Sequence, residues 1–584
     1  MLARYVIKVA GSAGQGIKSS GVTIAKALKR AGYFGFGYSE YPSLIRGGHN
    51  IFQIEIADRE IASVTKKLDL LLALNQESIK LHGPELTQDG ALIYDDGAFS
   101  LTPEEVDGFM KRGVEVYPIE LLKLAKDNGG SAIMKNTVSL GAVWKTFNLD
   151  LNILLDTIAQ VFNKSEEIVK INKACATAGY NALQTKNDYF SKNFKPDTQF
   201  ADNMLISGNE AIGLGAISAG VRMYSTYPMT PSSAILSYLA EEGPKYGMIV
   251  KQAEDEIMAA NMVMGAYFAG TRAMCGTSGG GFDLMTESLS LSGITETPFV
   301  AVLGQRPGPA TGAPTWTAQG DLDLAVNGGH GEFPRIVIAV SDAEDAFQGT
   351  KEAHNLAEIY QLPVIIMTDK LVAEGMYNHK QFDQNKVKVN RGKLIQGDDL
   401  KNYQGNLRYQ YTEDGVSPRW VPGDQANTFV GNSDEHDERG YSTEEADEIE
   451  NMMKKRLQKI TTIKNSLPEP MVFGDQQNPD LLVLSWGSNK GPIIDAIAEI
   501  NAEKPDFKMT LVHYRYMWPL KVEMALALMK KSKKVCSIEA NYFGQLSRMF
   551  RQETGFEITE KFNKFDGRPF YLEELVAYLE KFSS

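Results

Sequence analysis

Thr226-Tyr-Pro-Met-Thr-Pro-Ser-Ser-Ala234 is the stretch on which the reading of this chain turns. An apolar-alternating run, "VRMYS", leads into it, and a helix-like run, "ILSYLAEEG", follows. One proline is enough to break a strand-to-helix connection. Two, around Thr230, imply a backbone shape held still for a purpose. Three further candidate strands nearby end in unusual turns. "MIVKQA" ends at Glu254-Asp-Glu256, "RAMCG" at Thr277-Ser-Gly-Gly-Gly281, and "FVAVLG" at Gln305-Arg306-Pro-Gly308. Helical and strand patterns alternate through this region, which predicts a mostly parallel sheet covered on both faces. The carboxyl ends of such strands share one edge, and ligands bind in the crevice there. A hydroxyl, several carboxylates, a glycine cluster and a guanidinium are therefore expected to converge.

Each member has a plainer reading. Thr230-Pro231 suits a helix N-cap followed by proline at the first helical position. Glu254, Asp255 and Glu256 suit a helix start, where the dipole favours acids. The glycines suit a tight turn, although they also let a backbone approach a bound group closely. Arg306 suits an exposed loop. Four such turns at one sheet edge favour a site over four coincidences.

The chain has 584 residues, too many for one core, and a formal net charge of -13. An acidic, ordinarily apolar composition points to an enzyme and away from a nucleic-acid partner. No apolar run approaches a membrane span, and "MLARYVIKVAGSAGQG" reads as a strand and a turn, not a signal peptide. Three scattered cysteines, Cys175, Cys275 and Cys536, suit a reducing cytoplasm and are too few for a four-thiolate cluster. The expected fold class is α/β, with three mostly parallel open-sheet domains. Residues 1–192 open with a strand and the turn Gly11-Ser-Ala-Gly-Gln-Gly16, and 193–203 read as a polar linker. A second domain spans 204–374, an irregular connector 375–468, and a third domain 469–584. Within the connector, "NSDEHDERGYS" reads as solvated loop and "TEEADEIENMMKKRLQKI" as a helix whose charges match its dipole.

The ordered series "YPMTPSS", "EDEIMAANMVMGAYFAG", "TSGGGFDLMTESL" and "GQRPGPATGAPT" resembles the alpha subunit of 2-oxoacid:ferredoxin oxidoreductases. "GSAGQGIKSSG" with "YPSLIRGGHN" is similar to that family's gamma domain, and "WGSNKGPIIDAI" with "IEANYFGQLSRMF" to its transketolase-type C-terminal domain. The resemblance implies oxidative decarboxylation of a 2-oxoacid to an acyl-CoA, with electrons passing to ferredoxin or a similar carrier. It further implies thiamine diphosphate shared with a separate beta subunit, which holds the Mg2+ and a [4Fe-4S] cluster, in a dimer of heterodimers. The chain lacks a Gly-Asp-Gly triplet of the diphosphate-binding type, consistent with that division. Other expectations are another transketolase-like thiamine enzyme, or a non-catalytic interaction paralogue.

Carried onto this sequence, the resemblance makes Glu256 the glutamate against the pyrimidine ring, with Glu254 as the alternative. Thr230 lies beside the substrate carbonyl and carboxylate, and Arg306 grips the carboxylate. Tyr227, Pro228, Thr277, Ser278, Gly279 and Gly280 fall on the cofactor side. Gly11, Gly14 and Gly16, with Arg46, either cradle coenzyme A phosphates or form a structural turn. Trp316 stands where relatives often carry a base, which favours an apolar substrate side chain over a second carboxylate. His330, Trp486 and Asn541 read as structural or interface residues, and the methionines of "EIMAANMVMGA" as core filler.

Overall fold

The computed structural model describes residues 3–44, 47–185, 188–403, 405–423 and 428–583. Its α/β architecture is organised by three open sheets. The middle one holds seven strands in the order Tyr516–Trp518, Ile336–Ala339, Pro363–Asp369, Phe299–Gln305, Ala273–Thr277, Met223–Thr226 and Ile249–Gln252. All of its neighbours run parallel except Tyr516–Trp518, which comes from the C-terminal region. Phe299–Gln305 and Pro363–Asp369 are buried at every residue, as near-continuous apolar strands at the centre of a parallel sheet must be. Ile249–Gln252 forms the exposed edge.

The first sheet has eight strands, ordered Glu115–Ile119, Leu86–Asp95, Leu68–Ala73, Tyr5–Ser12, His49–Ala57, Phe34–Glu40, Met376–His379 and Met204–Ser207. Its first four strands are mutually parallel, and the rest pair antiparallel. The last two belong to chain beyond residue 203, so this sheet spans two regions of the sequence. Residues 193–203 bury Phe194 and Phe200, and Asp197 donates its N–H to the Gly32 carbonyl at 2.7 Å. The third sheet runs Met471–Gly474, Met509–Tyr514, Leu481–Trp486, Lys534–Glu539, Glu560–Asn563, parallel except for its first strand.

One sequence reading is extended here and two need correction. The bases of helix Ala446–Ser466 do more than answer its dipole. Lys455 and Lys459 are buried and both pair with the buried Glu296, and Arg456 meets Glu435 at 2.5 Å. The "DEHDE" run is consequently not a solvated loop: Glu435 answers Arg456, and His436 is fully buried with its ring 4.2 Å from that of Tyr409. Nor are all the methionines core. Helix Glu256–Phe268 is apolar on every side, and it leaves Ile257, Met258 and Phe268 exposed. No helix among the described residues is long and apolar enough to cross a membrane.

Candidate active site

Thr230 is fixed by its neighbours and not by a helix cap. The following helix starts at Ser233, two residues later than an N-cap at Thr230 would require. Ser232 N and Oγ both donate to the Met229 carbonyl, at 3.0 and 2.8 Å. The buried Asn209 amide donates to the Pro231 carbonyl at 2.8 Å. Pro231 itself is wedged against strand Phe299–Gln305, where a side chain on Gly304 would begin 3.1 Å from its ring. Arg306, just past the end of that strand, donates from Nη1 to the Thr230 carbonyl at 2.9 Å. The half-buried Thr230 makes no side-chain hydrogen bond to a described residue. Tyr227 and Pro228 are exposed beside it.

The three acids separate cleanly. Asp255 caps helix Glu256–Phe268, accepting the Met258 N–H at 2.7 Å, and Glu254 is exposed. Glu256 is 4% exposed, and its buried Oε1 has no hydrogen-bond partner. Gly281 leaves the space in front of it: a Cβ there would lie 2.6 Å from Glu256 Oε1 and 2.1 Å from Thr277 Oγ1. Thr277 and Ser278 are buried at the end of Ala273–Thr277, and Ser278 Oγ is likewise unpartnered. Gly280 is exposed and open, while Gly279 faces a carboxylate that the sequence reading missed.

That carboxylate is Asp321. Its Oδ2 is buried without a partner and would lie 3.0 Å from a Cβ on Gly279. Burial pushes its pKa up to about 6, with Asp283 adding to the rise and Arg306 opposing it. Burial in turn lowers the pKa of Arg306, with Asp321 opposing. The loop carrying Asp321 is bolted to both neighbouring sheets. Gln305 Oε1 accepts the Asp321 N–H at 3.2 Å. Gln319 donates to the Trp486 carbonyl at 2.9 Å, and Gln545 donates to the Gly320 carbonyl at 2.8 Å. Asn541 in turn accepts the Gln545 N–H at 3.2 Å. Trp486 and Asn541 are thus interface residues that hold the site's loop. In sequence, Asp321 just ahead of "LDLAV" reads as an ordinary helix start.

The N-terminal turn divides between packing and a cavity. A Cβ on Gly11 would meet Gln15 Oε1 at 2.5 Å and Leu74 Cβ at 3.2 Å, so this glycine is needed for close packing. Gly14 and Gly16 have φ of 86° and 72°, the left-handed region that favours glycine. Both line a cavity of about 460 Å³ with Ser20, Asn136, Leu140 and Phe162. Ser20 Oγ and Asn136 Oδ1 are buried there without partners. Arg46 lies outside the described residues.

Two family profiles match the chain. One described as "Pyruvate flavodoxin/ferredoxin oxidoreductase, thiamine diP-bdg" covers residues 214–455, and one described as "Pyruvate ferredoxin/flavodoxin oxidoreductase" covers 6–182. The 2-oxoacid:ferredoxin oxidoreductase subunit alpha of a Sulfolobus species is 32% identical, over 98% of this chain and 96% of its own length. The chain belongs to the 2-oxoacid:ferredoxin oxidoreductase alpha-subunit family. Within this family, the 2-oxoglutarate oxidoreductase subunit KorA of Mycobacterium tuberculosis is 27% identical, over 99% of this chain and 91% of its own. A solved 2-oxoglutarate:ferredoxin oxidoreductase from Magnetococcus marinus, with 2-oxoglutarate, coenzyme A and succinyl-CoA bound, superposes with a TM-score of 0.91. It is 32% identical, with each chain covered in full.

The residues present fit the pyrimidine half of thiamine diphosphate. An unpartnered, buried carboxylate oxygen needs a donor to offset its desolvation, and a ring nitrogen that shares a proton supplies one.

Proposed function

We propose that the chain is the alpha-type subunit, with a fused N-terminal gamma-type region, of an enzyme that oxidatively decarboxylates a 2-oxoacid. The products are an acyl-CoA and CO2, and two electrons pass to ferredoxin or a similar iron–sulfur carrier. The observation that carries this reading is the buried, unpaired Oε1 of Glu256 in the space opened by Gly281, at the sheet edge shared with Thr230 and Arg306.

Thiamine diphosphate, when bound, supplies the nucleophilic carbon and the electron sink. The chain's own groups place and tune. Glu256 holds a proton at the pyrimidine ring nitrogen, in a site dry enough for that proton to be shared. Arg306 offers a planar fork to the substrate carboxylate while its hydrogen bond to Thr230 O fixes its reach. The Thr230 hydroxyl, uncommitted among the described residues, donates to the carbonyl or carboxylate of the 2-oxoacid. Desolvation of Arg306 by the crevice strengthens its grip, and release of CO2 ends the attraction.

Exposed apolar side chains on the edge strand (Ile249) and on the helix that begins at Glu256 (Ile257, Met258 and Phe268) support docking of a beta subunit. That subunit would bring the Mg2+, the diphosphate site and the [4Fe-4S] cluster, in a dimer of heterodimers in the cytoplasm. Coenzyme A, which the Magnetococcus relative binds, is assigned to the side of the Gly14–Gly16 turn. Reconstitution with the beta subunit tests the whole reading. The pair should reduce a viologen dye only when a 2-oxoacid and CoA are both present, and this chain alone should not. Dye reduction without CoA, or none with any 2-oxoacid, would reject it.

A further inference from the structure

Trp316 is not the bare aromatic wall that its place in the sequence suggests. The guanidinium carbon of Arg568 lies 3.2 Å from its ring centroid, and Lys370 Nζ lies 5.6 Å from it. Arg568 arrives from the third region on the loop Asp566-Gly567-Arg568. Its N–H is held by Asp566 Oδ1 at 2.9 Å, and the Gly567 carbonyl accepts the Thr317 N–H at 3.1 Å. Gly567 is pressed onto the Arg306 loop. A Cβ there would begin 3.0 Å from Trp316 Cβ and 3.6 Å from Pro307 Cγ, and its φ of 81° is the left-handed region. Arg306 and Arg568 therefore leave the chain on either side of one Pro307–Gly567 contact.

The two cations beside Trp316 are not equally available. Lys370 is buried, donates to the Ser39 carbonyl at 2.6 Å, and is lowered by burial to about 8. Arg568 has a single counter-charge among the described residues, Glu40 at 3.7 Å, and its side chain is 36% exposed. Neither of its Nη nitrogens has a hydrogen-bond partner among those residues. A guanidinium laid flat on an indole, with its fork free, is a pre-ordered receptor for a carboxylate.

We propose that Arg568, supported by Trp316, receives the distal carboxylate of a dicarboxylic 2-oxoacid whose first carboxylate sits at Arg306, and so selects that substrate class. This rests on the assignment of the Thr230–Glu256–Arg306 crevice to a 2-oxoacid. Glu40, 3.7 Å away, neutralises Arg568 weakly and gives way to the incoming anion. Arg568 reaches Trp316 from a segment some 250 residues away in sequence.

A phosphate of coenzyme A is the other anion such a fork holds, and kinetics on the reconstituted enzyme separate the two. The comparison uses 2-oxoglutarate against 2-oxopentanoate, a monocarboxylic substrate of equal chain length. The wild-type enzyme should favour 2-oxoglutarate in kcat/KM. Arg568→Gln should cut kcat/KM for 2-oxoglutarate about 10–100-fold, the range expected for a lost charged hydrogen bond. It should leave 2-oxopentanoate and the KM for CoA unchanged, and Arg568→Lys should recover part of the loss. A wild-type preference for 2-oxopentanoate, an equal loss on both acids, or a raised KM for CoA would each overturn the proposal. No turnover of any 2-oxoacid by the wild-type pair would instead remove the site assignment beneath it.

Discussion

Arg306 Nη1 reaches the backbone carbonyl of Thr230 at 2.9 Å, so the two turns that carry the proposed substrate contacts are tied by a single hydrogen bond. The two residues are 76 positions apart and lie on turns from strands separated in the sheet by Ala273–Thr277. Replacing Arg306 with Lys keeps the charge but loses the planar fork that serves carbonyl and carboxylate together. Arg306→Lys should raise KM for every 2-oxoacid and lower kcat, by about 10-fold or more in kcat/KM. Steady-state kinetics with a substrate panel measures this, and unchanged constants would place the guanidinium outside the site.

Glu256→Gln keeps the shape of the buried side chain but cannot share a proton with the pyrimidine ring. Turnover should fall by about 10²–10⁴-fold, while the assembly with the beta subunit survives on a sizing column. Retained activity would move the role to another acid. Gly281→Ala should act in the same direction, because its methyl would enter the space before Glu256 Oε1.

Asp321 ties stability to pH. Its folded pKa of about 6 exceeds the ordinary 3.8, so the folded chain binds the extra proton more tightly. The resulting stabilisation is complete below about pH 4 and is lost as pH rises through 6. Asp321→Asn should therefore melt higher than wild type at pH 8, by roughly 2–3 kcal/mol at most, with the gap closing toward pH 4. A gap independent of pH would mean that the carboxyl is not the cause.

Glu296 is the anion on which the connector helix depends. Burial works against its charge, but Lys455 and Lys459 hold its carboxyl well below the usual range. Glu296→Gln would leave two buried ammonium groups without a counter-charge, a loss of about 3–5 kcal/mol. A thermal melt should fall by several degrees, and an unshifted melt would show that water reaches the lysines.

Much of this was legible in the sequence because it depends on local chemistry. Strand runs such as "FVAVLGQ" and the turns after them place Thr230, Glu256, Thr277 and Arg306 on one sheet edge by topology alone. What stayed hidden was supplied from far along the chain. Asp321 looks like a helix start until Gln319 and Gln545 tie its loop to the third sheet. Trp316 looks apolar until Arg568 lies on it. His436 and Glu435 look solvated until Arg456 folds over them. No local pattern records such pairings, because each partner contributes only half of the interaction.

The first sheet also bears on how this polypeptide could be divided. Met376 and Tyr377 ladder onto Gly37 and Phe36, Asn378 donates to the Tyr33 carbonyl at 3.2 Å, and Tyr41 donates to Glu374 at 2.7 Å. A protease nick within 193–203 should therefore yield fragments that co-elute, joined by a shared β-ladder, and not two bodies that drift apart. Two genes encoding those fragments would inherit a ready-made seam.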